Sequence, residues 1–267
     1  MPTFRSQDIP DLQDQVIIVT VGNVGLGYET IRQLSEHNPA RVYLASRSQT
    51  KPEQTIVELK SVKAAAADFV RQESRLGILI NNAGIMMTPE DVAEDGYEIY
   101  FGINVLGPAL FTQLLLPTLR KTAKVNSQTR MVMLSSAAHA RVPIDVYKFD
   151  ELRTSASQPT ALAARETEVK IIPVHPGIVA TNLHHASPGT FLRTFLYAAI
   201  FLAATPIEKG ALSQIFATVS PTVKHGQYYG PVGKAESGSK LSQNHDLQEE
   251  LFRWIQGELS GHVETIS

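Results

Sequence analysis

Val16-Ile17-Ile18-Val19-Thr20-Val21-Gly22-Asn23-Val24-Gly25-Leu26-Gly27 is the stretch that decides the fold. A short β-branched, apolar run passes into glycines, and an amphipathic pattern follows from about Tyr28 to His37. That order is strand, loop, helix, the context in which a dinucleotide phosphate loop works. Glycines let the backbone approach a pyrophosphate with no Cβ in the way, while free N–H groups at the helix start donate to the anion. The same spacing also fits an ordinary tight turn between a strand and a helix, so the rest of the chain has to discriminate.

Outward from that loop the alternation continues. Arg41-Val42-Tyr43-Leu44-Ala45-Ser46 predicts a second strand, ending in the polar Arg47-Ser48-Gln49-Thr50-Lys51. Leu76 to Leu79 predicts a buried strand ahead of Asn81-Asn82-Ala83-Gly84, with a long helix from about Gly102 to Arg120 and a strand at Met131 to Leu134. A strand at Val169 to Val174 leads into the turn His175-Pro176-Gly177. Helices are expected at Phe191 to Ala204, Lys209 to Ala217 and Asp246 to Glu258. Repeated βα units imply an α/β fold, a doubly wound parallel sheet of Rossmann type with helices on both faces. Two intervals break the rhythm. From Pro52 to Arg75 the pattern stays helical with no strand candidate, and from Ser136 to Val169 only a short helical hint stands where a crossover of about a dozen residues or more is needed.

At 267 residues, 43% apolar and 19% charged, the chain can bury one substantial core, and residues 1–267 are expected to form a single domain. A net charge of −2 without a Lys/Arg cluster argues against nucleic acid and for a small-molecule partner. The absence of cysteine excludes disulfides, thiolate metal sites and Cys nucleophiles, and no metal site is expected. The start Met1-Pro2-Thr3-Phe4-Arg5-Ser6 is polar and no 18-residue apolar run is read, so no membrane span and a cytoplasmic location are expected.

Asn81-Asn82-Ala83-Gly84, Asn104, Ser135-Ser136 and Pro176-Gly177 follow the glycine-rich loop in an order and spacing that resembles the short-chain dehydrogenase/reductase family. The texture of Asn82-Ala83-Gly84-Ile85-Met86-Met87, Asp95-Gly96-Tyr97-Glu98 and Val174-His175-Pro176-Gly177 is similar to its retinol-dehydrogenase-like branch, and to filamentous-fungal members in particular. The resemblance implies that Gly22, Gly25, Leu26 and Gly27 line the pyrophosphate. It also implies that Asn82, Ala83 and Gly84 pass under the adenine ribose, and that Val179 and Thr181 meet the nicotinamide. Val21 stands where the family has its first glycine; a β-branched residue suits that position poorly if the turn needs φ > 0, so weakened cofactor binding is expected. A guanidinium just past the second strand suits a 2′-phosphate, whereas an acidic residue there suits an unmodified ribose. Arg47, supported by Ser46 and Lys51, therefore predicts NADP.

The resemblance further implies hydride transfer between an alcohol and a carbonyl, with a Tyr as acid, a Lys one helical turn later lowering its pKa, a Ser polarising the carbonyl and an Asn holding a water. Ser136, with Ser135 as its neighbour, and Asn104 supply the last two. The Tyr-x-x-x-Lys pair is missing: none of the eight tyrosines is followed by Lys at the fourth position. Tyr147 adjoins Lys148, but on a helix neighbouring side chains diverge by about 100°, so Tyr147 is a poor substitute acid. Against the family pattern the chain lacks the third strand, an edge strand in the order 3-2-1-4-5-6-7, and most of the crossover helix that carries catalysis. Two functions follow: an NADP-dependent oxidoreductase of an apolar metabolite, in secondary metabolism as the fungal likeness implies, or a catalytically silent relative binding a nucleotide or a partner. An incompletely recorded gene product would hide a normal enzyme behind this sequence. Phe191 to Ala204 lies where the family places its substrate lid, and a homo-oligomer is left open.

Overall fold

The computed structural model describes residues 4–46, 59–86, 91–138, 168–180 and 204–263. In chain order the elements are β1 (Val16–Thr20), α1 (Gly25–Ser35), β2 (Arg41–Ala45), α2 (Leu59–Gln72), β3 (Ile78–Asn81), α3 (Ile99–Ala123), β4 (Arg130–Leu134) and β5 (Lys170–Val174). They are followed by α4 (Ile207–Val219), β6 (Tyr228–Gly230), β7 (Lys234–Glu236) and α5 (His245–Leu259).

The sheet runs β2-β1-β3-β4-β5-β6-β7, parallel throughout except for the last, antiparallel pair. Period-two alternation assigns its two faces. Ile17, Val19, Ile80, Val132 and Ile172 pack with Leu34 of α1 and Ile215 of α4, while Val16, Ile18, Leu79, Met131 and Ile171 pack with Phe69 of α2 and Leu115 and Leu119 of α3. Both faces being buried explains why these strands read as continuous apolar runs. The expected doubly wound sheet is therefore present. Among the described residues nothing pairs with the outer edge of β2, in keeping with the missing third strand; the interval 139–167, where the crossover helix was expected to be cut short, lies outside the described residues, as does the expected helix at 191–203.

Three features differ from the sequence reading. β6 and β7 are both strands that the sequence reading did not locate, and they pair antiparallel through Tyr228↔Glu236 and Gly230↔Lys234. α3 begins earlier than Gly102 and widens into a π turn over Gly102–Leu106, where the Gly107 N–H reaches the Gly102 carbonyl. The same helix is long and apolar enough, by length and composition, to cross a membrane, contrary to the expectation that no such run exists. Its apolar positions are used inside the protein: Phe101, Leu106 and Leu110 pack with Leu251, Ile255 and Leu259 of α5, and Phe101 meets Trp254 edge to face at 5.2 Å.

At the opposite end of the sheet from the loops discussed below, Arg130 is 1% exposed. Its guanidinium donates to the carbonyls of Gln128 at 3.0 Å and Ser220 at 2.8 Å, and also to the Gln128 side chain and the Ala217 carbonyl. Burial pulls its pKa down to about 10, which leaves it charged at neutral pH. A cation placed on the last carbonyls of α4 completes groups that a helix C-terminus leaves without partners.

Candidate active site

β1, β3, β4 and β5 are parallel neighbours, so the segments leaving their C-terminal ends line one rim of the sheet. Strand order reverses between β1 and β3, since the chain goes out to β2 and returns to the other side of β1. Crevices at such a reversal are where open α/β sheets bind ligands.

The glycine-rich loop closes on itself there. Val21 has φ 52 and Gly25 φ 56, both left-handed. The Val21 N–H donates to the Ala45 carbonyl at 2.7 Å. A Cβ on Gly27 would overlap the Val21 carbonyl oxygen and lie 2.6 Å from Asn82 Nδ2; one on Gly22 would run into Ile31 and Leu44. α1 starts at Gly25 without a side-chain cap from Val24. The N–H groups of its first turn therefore have no helical acceptor and no capping oxygen, the arrangement that receives a phosphate. Leu26 contributes through its backbone alone: its side chain packs into the core and its carbonyl accepts from Gln214 Nε2 at 3.3 Å.

Thr20, which the sequence reading passed over, ties this loop to the next. Its Oγ1 accepts the N–H groups of Asn82 at 3.0 Å and Ala83 at 2.8 Å, while Asn82 Nδ2 donates to the Thr20 carbonyl at 2.9 Å. Asn82 thus braces the β3 loop against β1, and its Oδ1 is buried without a protein partner. Gly84 lies against Asn104, whose amide is committed to Ile85: Nδ2 donates to the Ile85 carbonyl at 3.0 Å and Oδ1 accepts its N–H at 2.8 Å. The π turn is what carries Asn104 to this loop. The side chain is a brace for the site wall.

Ser136 follows β4 and is exposed, its Oγ accepting the Ala138 N–H at 3.2 Å. Its neighbour Ser135 hydrogen-bonds through its side chain to Tyr228, whose phenol burial pushes up to about 12. Beyond β5, Gly177 takes φ 81, and Val179 is buried against Gly210 of α4, with the Ala180 N–H bonded to the Thr205 carbonyl at 3.1 Å. Gly22, Gly25, Leu26, Gly27, Asn82, Ala83, Gly84, Asn104, Ser136 and Val179 thus share the rim, while Arg47, Tyr147 and Thr181 lie outside the described residues.

The family model described as short chain dehydrogenase matches residues 15–149. A short-chain dehydrogenase/reductase of Armillaria gallica is 32% identical over 295 aligned positions, covering 96% of this chain and 93% of the relative. Since 96% of 267 residues is about 256, about 39 of those positions have no counterpart here. A polyprenol dehydrogenase of Danio rerio is 32% identical, covering 94% of this chain and 88% of its own. Among solved structures, the NADPH-bound carbonyl reductase from chicken fatty liver superposes with a TM-score of 0.59 at 19% identity, over 84% of this chain and 99% of that one, a likeness of fold. A family match over half the chain, joined to one-third identity over nearly its whole length, places this protein in the short-chain dehydrogenase family.

Proposed function

We propose that the chain binds NADP(H) at the rim of β1 and β3 and is a severely weakened oxidoreductase of apolar alcohols or carbonyls. The observation that carries this is the uncapped start of α1 facing a loop that excludes side chains at Gly22 and Gly27. The family membership supports a nicotinamide cofactor, and a fold neighbour is an NADPH-bound carbonyl reductase. Arg47 favours the 2′-phosphorylated form. A bound nicotinamide would supply or accept a hydride. The chain's own part is to orient it through the first turn of α1 and the Asn82-Ala83-Gly84 loop, and to polarise a carbonyl through Ser136 Oγ. The polyprenol dehydrogenase relative supports an apolar substrate; a cytoplasmic location and a role in secondary metabolism belong to the same proposal and rest on the sequence alone.

The missing Tyr-x-x-x-Lys favours a second reading, a nucleotide-binding protein without turnover. General acid catalysis contributes about 10² to 10⁴, so NADPH oxidation with simple ketones or aldehydes is expected at least about a thousandfold below an intact relative. NADPH fluorescence titration tests the binding half: saturable binding supports the site, and none refutes it. Robust turnover abolished by Tyr147→Phe would refute the loss of the acid. A transcript containing Tyr-x-x-x-Lys would do the same for the sequence as it stands.

A further inference from the structure

We infer that His175 and Glu236 form a positioning pair that fixes the Pro176-Gly177 turn and, through it, the nicotinamide side of the site; the second half rests on the nucleotide reading above. The two residues are 61 positions apart and meet because β6 and β7 form a hairpin beside β5. His175 is 7% exposed, and both of its ring nitrogens are engaged. Nδ1 accepts the Gly177 N–H at 3.3 Å, which leaves the ring proton on Nε2, 3.2 Å from Glu236 Oε2. The ring also stacks on Tyr228 with centroids 5.4 Å apart.

The surroundings are shaped around this bridge. A Cβ on Gly230 would stand 2.5 Å from Glu236 Oε1 and 3.1 Å from His175 Nε2, so only glycine leaves room for the pair. Lys234 Nζ lies 3.3 Å from Glu236 Oε1. Burial alone would raise the Glu236 carboxyl, but the hydrogen bonds from His175 and Lys234 outweigh it and hold the group below its ordinary value, ionised. A charged acceptor makes the bond to His175 stronger than a neutral one would be. Gly177 itself sits at φ 81 with the Pro231 ring against its open side. The turn is thus pinned by the imidazole on one side and by the β6–β7 connection on the other. A histidine present for packing alone would need its ring and its stack on Tyr228; it would not need both nitrogens spent on a turn and a hairpin.

The test follows from that distinction. His175→Phe keeps the ring and loses both hydrogen bonds, and Glu236→Gln keeps the shape and loses the charge. Hydrogen exchange across residues 175–180 is expected to speed up about tenfold in His175→Phe and by less in Glu236→Gln, the scale of one lost hydrogen bond. NADPH affinity should fall about tenfold, while 2′-phospho-ADP-ribose, which has no nicotinamide, should bind within about twofold of wild type. Unchanged exchange overturns the pairing, and equal loss of both ligands overturns its confinement to the nicotinamide side. Should His175→Phe fail to fold, Glu236→Gln, at a 29% exposed side chain, carries the same comparison. A wild type that binds neither ligand would overturn the nucleotide reading alone, because the exchange measurement still decides whether the pair fixes the turn.

Discussion

At position 21 glycine is expected to be more stable than alanine, because the loop holds this half-buried residue in a left-handed conformation. Val21 has φ 52, and it is pinned there from both sides: its N–H is bonded to the Ala45 carbonyl at 2.7 Å and its own carbonyl receives Asn82 Nδ2 at 3.4 Å. A left-handed conformation costs an L-residue roughly 1–2 kcal/mol, and a β-branched one has least room to relax. Glycine escapes that cost but loses about 0.5–1 kcal/mol more chain entropy on folding. The lost methyl contacts are common to alanine and glycine, so the comparison that isolates the backbone is Val21→Gly against Val21→Ala. The glycine variant should be the more stable by about 0.5–1 kcal/mol, which for a chain of this size is roughly 1–4 °C in Tm. Differential scanning calorimetry of the two variants measures it. A glycine variant melting at or below the alanine variant would refute the claim that the loop stores strain at this residue.

Arg130→Met should cost about 2–4 kcal/mol in urea unfolding, because the carbonyls of Ala217 and Ser220 lose a charged donor in a buried place; a loss below about 1 kcal/mol would show that those carbonyls find other partners. Gly27→Ala puts a methyl onto the Val21 carbonyl and within 2.6 Å of Asn82 Nδ2, so NADPH binding should fall below detection in the fluorescence titration, and wild-type affinity would contradict the tight loop. The Arg32 hydrogen bond, chiefly, holds the Glu29 carboxyl below its ordinary 4.5, overcoming burial, with Gln33 adding to it. A depressed folded pKa gives stability that is present above 4.5 and lost as pH falls through the lower folded value. Glu29→Gln should therefore be less stable at neutral pH and show a shallower acid slope, and identical slopes would remove Glu29 from the acid response.

What could be read from the sequence depended on range. β1, its loop and α1 were legible because an apolar run, glycines and a 3.6-residue period follow one another within twenty residues, and the misfit of Val21 was visible as a residue type in the wrong place. β6 and β7 were not legible: Tyr228-Tyr229-Gly230 is three residues long, with Val174↔Tyr229 the one register pair to β5, and Lys234-Ala235-Glu236 is polar. Neither gives a periodicity to detect. The π turn left no trace either, since one extra residue in a buried helix changes the hydrogen-bond phase without disturbing the apolar pattern. Thr20 and the His175–Glu236 bridge act across 62 and 61 residues, and no local pattern encodes such a contact.

Among the described residues β2 is the outer strand of the sheet, and its contacts show how such an edge is held. Leu44 of β2 is 47% exposed, yet β2 keeps its register with β1 over five residue pairs. It is also held from the other side of its own sequence: Tyr43 meets Phe69 edge to face at 5.1 Å and donates to Glu73 Oε1 at 3.1 Å, and Arg41 bonds to the same carboxylate. Glu73 follows α2, so the helix that packs over the sheet supplies an anchor for this edge. The exposed apolar area is therefore local to Leu44, while Val16 to Val19 behind it stay at 2% exposure or less. An edge strand tied to a helix end can lack an outer neighbour without opening the core, which is why the nucleotide loop between β1 and α1 keeps its shape in this chain.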